Sequence, residues 1–194
     1  MNANVGMLSP VVATVSSYTA GTSISYNTGK KIAEAVSAAV TWNRSDGEFY
    51  GDDVLLDSDN GVTGYTIELE PSGLTDEIRG YILGETAQTN EYTVNDQASP
   101  DVGFGYVRVM RTTNSVGVVT DSYEGWWYYK MKFGVTNEEA RTKGGTIEWR
   151  VPTLSGKGSG VQLDSTAVNK FAVHKTFATK ADAISYVKGK AGIT

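Results

Sequence analysis

The ten residues Trp126–Val135, WWYYKMKFGV, decide the class of fold, because bulky and charged side chains alternate along them. Trp127, Tyr129, Met131, Phe133 and Val135 fall on one side, and Trp126, Tyr128, Lys130 and Lys132 on the other, which is the period of two that a strand imposes. The same alternation recurs on either side of this segment. Val102–Arg111 and Gly145–Val151 read as strands, and Tyr65, Ile67 and Leu69 alternate with Thr66, Glu68 and Glu70. Ser23–Tyr26, the polar turn Asn27-Thr28-Gly29 and Ile32–Trp42 read as a hairpin. In its second strand Ile32, Val36, Ala38, Val40 and Trp42 point one way. Lys31, Ala33, Ala35, Ser37, Ala39 and Thr41 point the other way and make a small, polar face. A short strand lies near Lys170–Phe177, and Ser155–Gly160 reads as a flexible link.

Two helices interrupt this pattern. Leu74–Leu83 has Thr75 as a cap, Asp76 and Glu77 at its positive end, Gly84 to end it, and Ile78, Tyr81 and Ile82 as its apolar stripe. Thr179–Lys188 opens on a Thr179/Asp182 capping pattern and turns Ala181, Ile184 and Val187 inward. The sum is a mainly β protein, an antiparallel sandwich or barrel with two short flanking helices.

Asn43–Gly61, NRSDGEFYGDDVLLDSDNG, stands apart. Six carboxylates (Asp46, Glu48, Asp52, Asp53, Asp57, Asp59) accompany one cation, Arg44, with Phe49, Tyr50, Val54, Leu55 and Leu56 among them. Long connections of this kind are functional or disordered, and disordered segments lack aromatic and branched apolar residues. The segment therefore reads as a loop that orders against another protein subunit.

Composition narrows the chemistry. The 194 residues suffice for one sizeable core. Without cysteine there is no disulfide, thiolate metal site or cysteine nucleophile, and one histidine, His174, rules out multi-histidine metal sites. No stretch reaches the length of a membrane span, and MNANVGMLSP lacks the features of a signal peptide. Residues 1–129 hold 6 Lys and Arg against 17 Asp and Glu, whereas residues 130–194 hold 11 against 5. That asymmetry suits head-to-tail self-complementarity, unless both halves mix in one fold and the surface averages out. No basic stripe interleaved with aromatics points to direct nucleic-acid binding.

Each catalytic or ligand pattern is incomplete. Asp57-Ser58-Asp59-Asn60-Gly61 followed by Glu68 imitates a calcium loop, but Gly61 holds a ligand position and Val62 holds the place of the turn glycine. Gly156–Gly160 lacks phosphate-loop spacing. His174 alternates with Phe171 and Val173 as a solvent-facing strand residue rather than a general base, and no two carboxylates single themselves out as a glycosidase pair. Trp126–Tyr129 could form a sugar-stacking platform, although consecutive strand residues point to opposite faces. An enzyme is not expected, nor is a metal or cofactor.

Taken in order, the segments resemble a known family, the major tail (tail-tube) proteins of long-tailed, non-contractile bacteriophages. Ala3–Ala13 (ANVGMLSPVVA) resembles the family's N-terminal segment. KKIAEAVSAAVTWN and EFYGDDVLLDSDNGVTGYTIEL resemble its first strands and acidic loop, with Asp52, Asp53, Ser58 and Asp59 in its acidic pattern. LTDEIRGYILG is similar to its small helix, VGFGYVRV and YYKMKFGVTNEEARTKGGTIEWRVPTLSG to its central strands, and KTFATKADAISYV to its closing helix. Two segments depart from the pattern: the Asn114–Glu124 hairpin and the polar tail Gly189–Thr194.

The resemblance implies one tail-tube domain over 1–194, with an N-terminal arm at 1–14, an acidic stacking loop at 43–61 and a C-terminal helix at 179–190. Six copies would close into a ring, and stacked rings would make a hollow tube that passes DNA without specific binding. Phe49, Tyr50, Val54 and Leu55 would anchor contacts between rings, with Asp52, Asp53, Asp57 and Asp59 setting register. Val5 and Met7, in an arm laid across another subunit, would add to them. Ser37, Thr41, Thr66, Glu68 and Glu70 would face the lumen, where an acidic wall repels phosphates. Expected partners are further copies of the chain and the tape-measure, tail-terminator and distal-tail proteins, with no membrane. The expected location is the virion tail, after synthesis in the host bacterial cytoplasm. The alternatives are a secretion-system-like tube protein and a monomeric carbohydrate-binding β sandwich.

Overall fold

The computed structural model describes residues 2–33, 35–51, 54–88, 91–94, 96–137 and 152–193. The expected strand Gly145–Val151 lies outside them. The fold is mainly antiparallel β with two short helices. In chain order the strands are β1 (Asn2–Thr19), β2 (Ser23–Tyr26), β3 (Lys30–Lys31), β4 (Ala35–Arg44), β5 (Gly47–Gly51), β6 (Val54–Asp59) and β7 (Val62–Pro71). After helix α1 (Asp76–Leu83) come β8 (Thr86–Gln88), β9 (Glu91–Thr93), β10 (Val102–Thr113), β11 (Val119–Asn137), β12 (Thr153–Gly158), β13 (Ala172–Phe177) and helix α2 (Lys180–Lys190). The main sheet runs β2-β1-β10-β11-β12-β7-β4, with β13 beside β11 and β3 beside β1. It curls until β4 comes into contact with β1.

Apolar side chains fill the inside of the curl: Val12, Tyr65, Ile67, Leu69, Phe104, Tyr128, Met131, Phe133 and Leu154, with Ile78 and Ile82 of α1. A second cluster lies on the outer face of β1, β10 and β11, where Val11, Ala13, Val107 and Trp127 meet Ala183, Val187 and Ala191 at α2. Both helices form where the sequence places them. Thr75 accepts from the Ile78 amide and Gly84 closes α1 in the left-handed region, while Thr179 accepts from the Asp182 amide. On α2, Val187 is buried and Ile184 packs against the same cluster as expected, but Ala181 is exposed and Ala183 takes the inward place.

Three strand readings change. Ser23–Tyr26 pairs back onto β1 (Val15↔Tyr26), whereas β4 pairs with β7, so the expected hairpin between Ser23–Tyr26 and Ile32–Trp42 does not form. The N-terminal segment is no free arm: Asn2–Leu8 pairs with β10 of its own chain. Pro10 is accommodated where Ser9 takes a φ of 49° and the ladder shifts between Leu8 and Val11. A bulge is one of the few places where a sheet accepts proline.

Gly156 and Gly158 are no linker either; they belong to β12, an internal strand between β11 and β7. A Cβ on Gly158 would stand 1.9 Å from Tyr65 Cζ, and one on Gly156 would stand 2.1 Å from Met131 Cε. The large side chains of both neighbours lie across this strand, and only glycine leaves room for them.

The fourth change is inside β11. Val102 pairs with Met131 and Phe104 with Tyr128, so one extra residue is accommodated near Tyr129–Lys130. Beyond that bulge the alternation inverts. Trp127 and Tyr129 face the α2 side, whereas Tyr128, Met131 and Phe133 face the inside of the curl. The expected single row Trp127–Tyr129–Met131–Phe133 is thus split between two cores. Two tyrosine hydroxyls bond the carbonyls at the bulge, one from each core: Tyr26 donates to Tyr129 O at 2.7 Å and Tyr65 donates to Lys130 O at 3.0 Å. Burial pushes both phenols well above the usual tyrosine range, so they remain donors.

Candidate assembly surfaces

The acidic segment is a two-stranded ribbon instead of a long loop. β5 and β6 pair antiparallel, with Gly47↔Asp59, Glu48↔Ser58, Phe49↔Asp57, Tyr50↔Leu55 and Gly51↔Val54 in register. Its root lies between this separate ribbon and the β4–β7 pair: the Ser45 amide donates to Gly61 O at 2.9 Å, and Arg44 Nη1 donates to Asn60 O at 3.1 Å. A register shift between Asn43 and Arg44 marks the root. The segment was too long for a turn because it is itself a hairpin, built on the Phe, Tyr, Val and Leu residues that favour strands. Phe49, Tyr50, Val54, Leu55, Asp57 and Asp59 are all placed on this arm. Asp52 and Asp53 lie outside the described residues.

The five residues expected at a lumen come together on one surface. Across β4 and β7, Ser37 pairs with Glu70, Ala39 with Glu68 and Thr41 with Thr66. Residues directly opposite in an antiparallel pair share a face. Tyr65, Ile67 and Leu69 take the other face and are fully buried. Ser37, Thr41 and Glu68 are exposed, Thr66 and Glu70 half-buried, and Ser37 Oγ donates to Glu70 Oε2 at 2.8 Å. The surface extends through Ser155↔Glu68 and Lys157↔Thr66 on β12, then Lys132↔Lys157 on β11. Lys157 and Lys132 are exposed, so carboxylates on β4–β7 give way to ammonium groups on β12–β11. Sequence reasoning missed Lys157 because it sits between the two glycines of a supposed linker. The alternation Gly-Lys-Gly, small then charged then small, was the available signal.

Basic and acidic halves of the sequence therefore interleave in one sheet. Lys130 Nζ of the basic half lies 3.3 Å from Asp101 of the acidic half; within the basic half, Lys170 and Thr166 bond Asp164 and hold its carboxyl down at about 2.

Val5 is 47% exposed, while Met7 packs half-buried against the barrel core. Met7 also lines a cleft of about 260 Å³ between β1 and β4, together with Val40, Trp42, Tyr106 and Trp126. Two residues of its lining are bonded to Glu124: Arg108 Nε donates to Glu124 Oε2 at 3.0 Å and Trp126 Nε1 donates to the same carboxylate at 3.0 Å. Partial burial alone would raise the Glu124 carboxyl, but these bonds and the guanidinium charge outweigh it and lower it.

The aromatic run Trp126–Tyr129 does not make an exposed platform. Trp127 and Tyr128 are buried on opposite faces, Trp126 is half-buried, and exposed His174 stacks on it at 4.3 Å between ring centroids. Among the described residues no group of three or more His, Cys, Asp or Glu is placed to hold a metal, and no helix is long and apolar enough to cross a membrane.

No family model matches the chain, and no curated protein matches it.

Proposed function

We propose that the protein is a structural subunit of a phage tail tube, assembling into stacked rings, six copies each, around a channel for DNA. The observation that supports this reading best is one strand pair and the segment that joins it. β4 and β7 present Ser37, Thr41, Thr66, Glu68 and Glu70 on one solvent-facing side, and the segment that joins these two strands folds as the separate β5–β6 ribbon. A polar wall and an apolar–acidic hairpin joined to the same two strands suit a subunit that lines a channel and reaches an adjacent ring. Val5, in the exposed part of β1, is a further contact, and the partners are other copies together with tape-measure, terminator and distal-tail proteins of the virion. The role is architectural, with no catalysis and no cofactor.

Negative-stain electron microscopy of the purified protein at rising concentration, alone and with other tail components, tests this. Hollow tubes or stacked rings are expected. Persistent monomers under both conditions would overturn the reading.

A further inference from the structure

The root of the arm also carries chemistry of its own, independent of the tube reading. Asn60-Gly61 is the one Asn–Gly pair in the sequence, and Asp46-Gly47 the one Asp–Gly pair. The hairpin register brings them to the same level, because Gly47 pairs with Asp59 and Ser45 bonds Gly61. Asn60 and Gly61 are exposed and lie between the ladders of β6 and β7. We propose that this root is a self-modification site, at which Asn60 converts to aspartate and isoaspartate through a cyclic imide with Gly61, assisted by Arg44.

The balance is simple. The Gly61 backbone nitrogen loses its proton and attacks Asn60 Cγ; a C–N bond forms, the Cγ–Nδ2 bond breaks, and ammonia leaves with the proton. Water then opens the imide at either carbonyl, giving an α-linked or a β-linked aspartate. Glycine at the attacking position puts no side chain in the way. Arg44 supplies the second element. Its Nη1 donates to Asn60 O, the carbonyl of the very amide whose nitrogen must be deprotonated. As that proton leaves, negative charge moves onto this oxygen, and a charge-assisted bond from the guanidinium holds it. Asn114 provides the contrast within the same molecule. It is equally exposed, but it precedes serine, and its Oδ1 is fixed by bonds from the Val116 and Val118 amides.

Conversion puts a new carboxylate beside Arg44, and the β-linked product adds one methylene to the backbone between β6 and β7. The arm would then leave the body in a different register, so ageing alters the segment that the tube reading uses for stacking.

The test is peptide mapping by mass spectrometry of the full-length protein held at mildly alkaline pH, with enzymatic isoaspartate methylation as a second readout. The amide-to-acid mass change is expected at Asn60 and not at Asn114. Arg44→Ala should slow it about threefold, the scale of one exposed charged interaction, and Arg44→Lys should fall between. No conversion in the folded protein over a period in which the urea-denatured chain converts would overturn the site. Equal rates in all three folded proteins would overturn the role of Arg44. Both readouts stand whether or not tubes form, so failure here is distinct from failure of assembly.

Discussion

At the scale of single residues, two glycines in one strand carry the largest consequence. Gly158→Ala would drive a methyl into the Tyr65 ring, whose hydroxyl is bonded to Lys130 O. The ring has to leave a fully buried site, so a loss of about 3 kcal/mol or more is expected, read as a lowered urea midpoint. Gly134, on the neighbouring strand, has nothing within 4 Å of its would-be Cβ. Gly134→Ala should therefore stay within about 0.5 kcal/mol. Glu124 gives a test by pH. Its folded carboxyl titrates below the unfolded value of about 4.3, so its contribution is present above that pH and is lost as pH falls through the lowered folded value. Glu124→Gln should remove this part of the acid limb, and stability measured from neutral pH down to strongly acid pH will show a shallower decline than in the parent.

At the scale of elements, β5–β6 is separable from the body. Ser45 and Gly61 are bonded to each other at the root, so an Asn-Gly turn in place of residues 46–60 closes a two-residue hairpin on the existing ladder. The shortened chain should melt within a few degrees of the parent by circular dichroism, while microscopy should show no stacked rings. Elements also show where sequence sufficed and where it failed. Thr75, Gly84 and Thr179 mark helix ends by local bonds, and those ends are where the sequence puts them. The alternation of β7 was equally legible, and β10 forms where Val102–Arg111 reads as a strand. Strand pairing was not, because β2 and β4 choose β1 and β7 by packing that no local pattern encodes. Nor was the β11 bulge, which shifts Met131 and Phe133 to the other side of the sheet from Trp127 by a single extra residue. Glycine misled in β12, where it signals neighbours crossing a strand rather than a flexible chain. The five lumen candidates were found from alternation on β4 and β7, but the lysines beside them were not.

At the scale of the whole molecule, the polar face bears on passage of DNA. Replacing both Glu68 and Glu70 by lysine joins them to Lys157 and Lys132 in one basic surface. If this face lines the channel, tubes built from that double variant should retain DNA that sediments with them at low salt and is released at high salt, whereas parent tubes should not. Equal behaviour of the two would place the face outside the channel. The bulge in β11 has a wider consequence. Trp127 and Tyr128 are adjacent in the chain, yet each belongs to a different apolar cluster, and the tyrosines bonding Tyr129 O and Lys130 O come from opposite sides. No hinge separates the clusters, for they share one backbone. Amide protons on β11 should thus exchange with solvent only when both sides open at once, making this strand the slowest-exchanging part of a molecule that has two interiors but one cooperative unit.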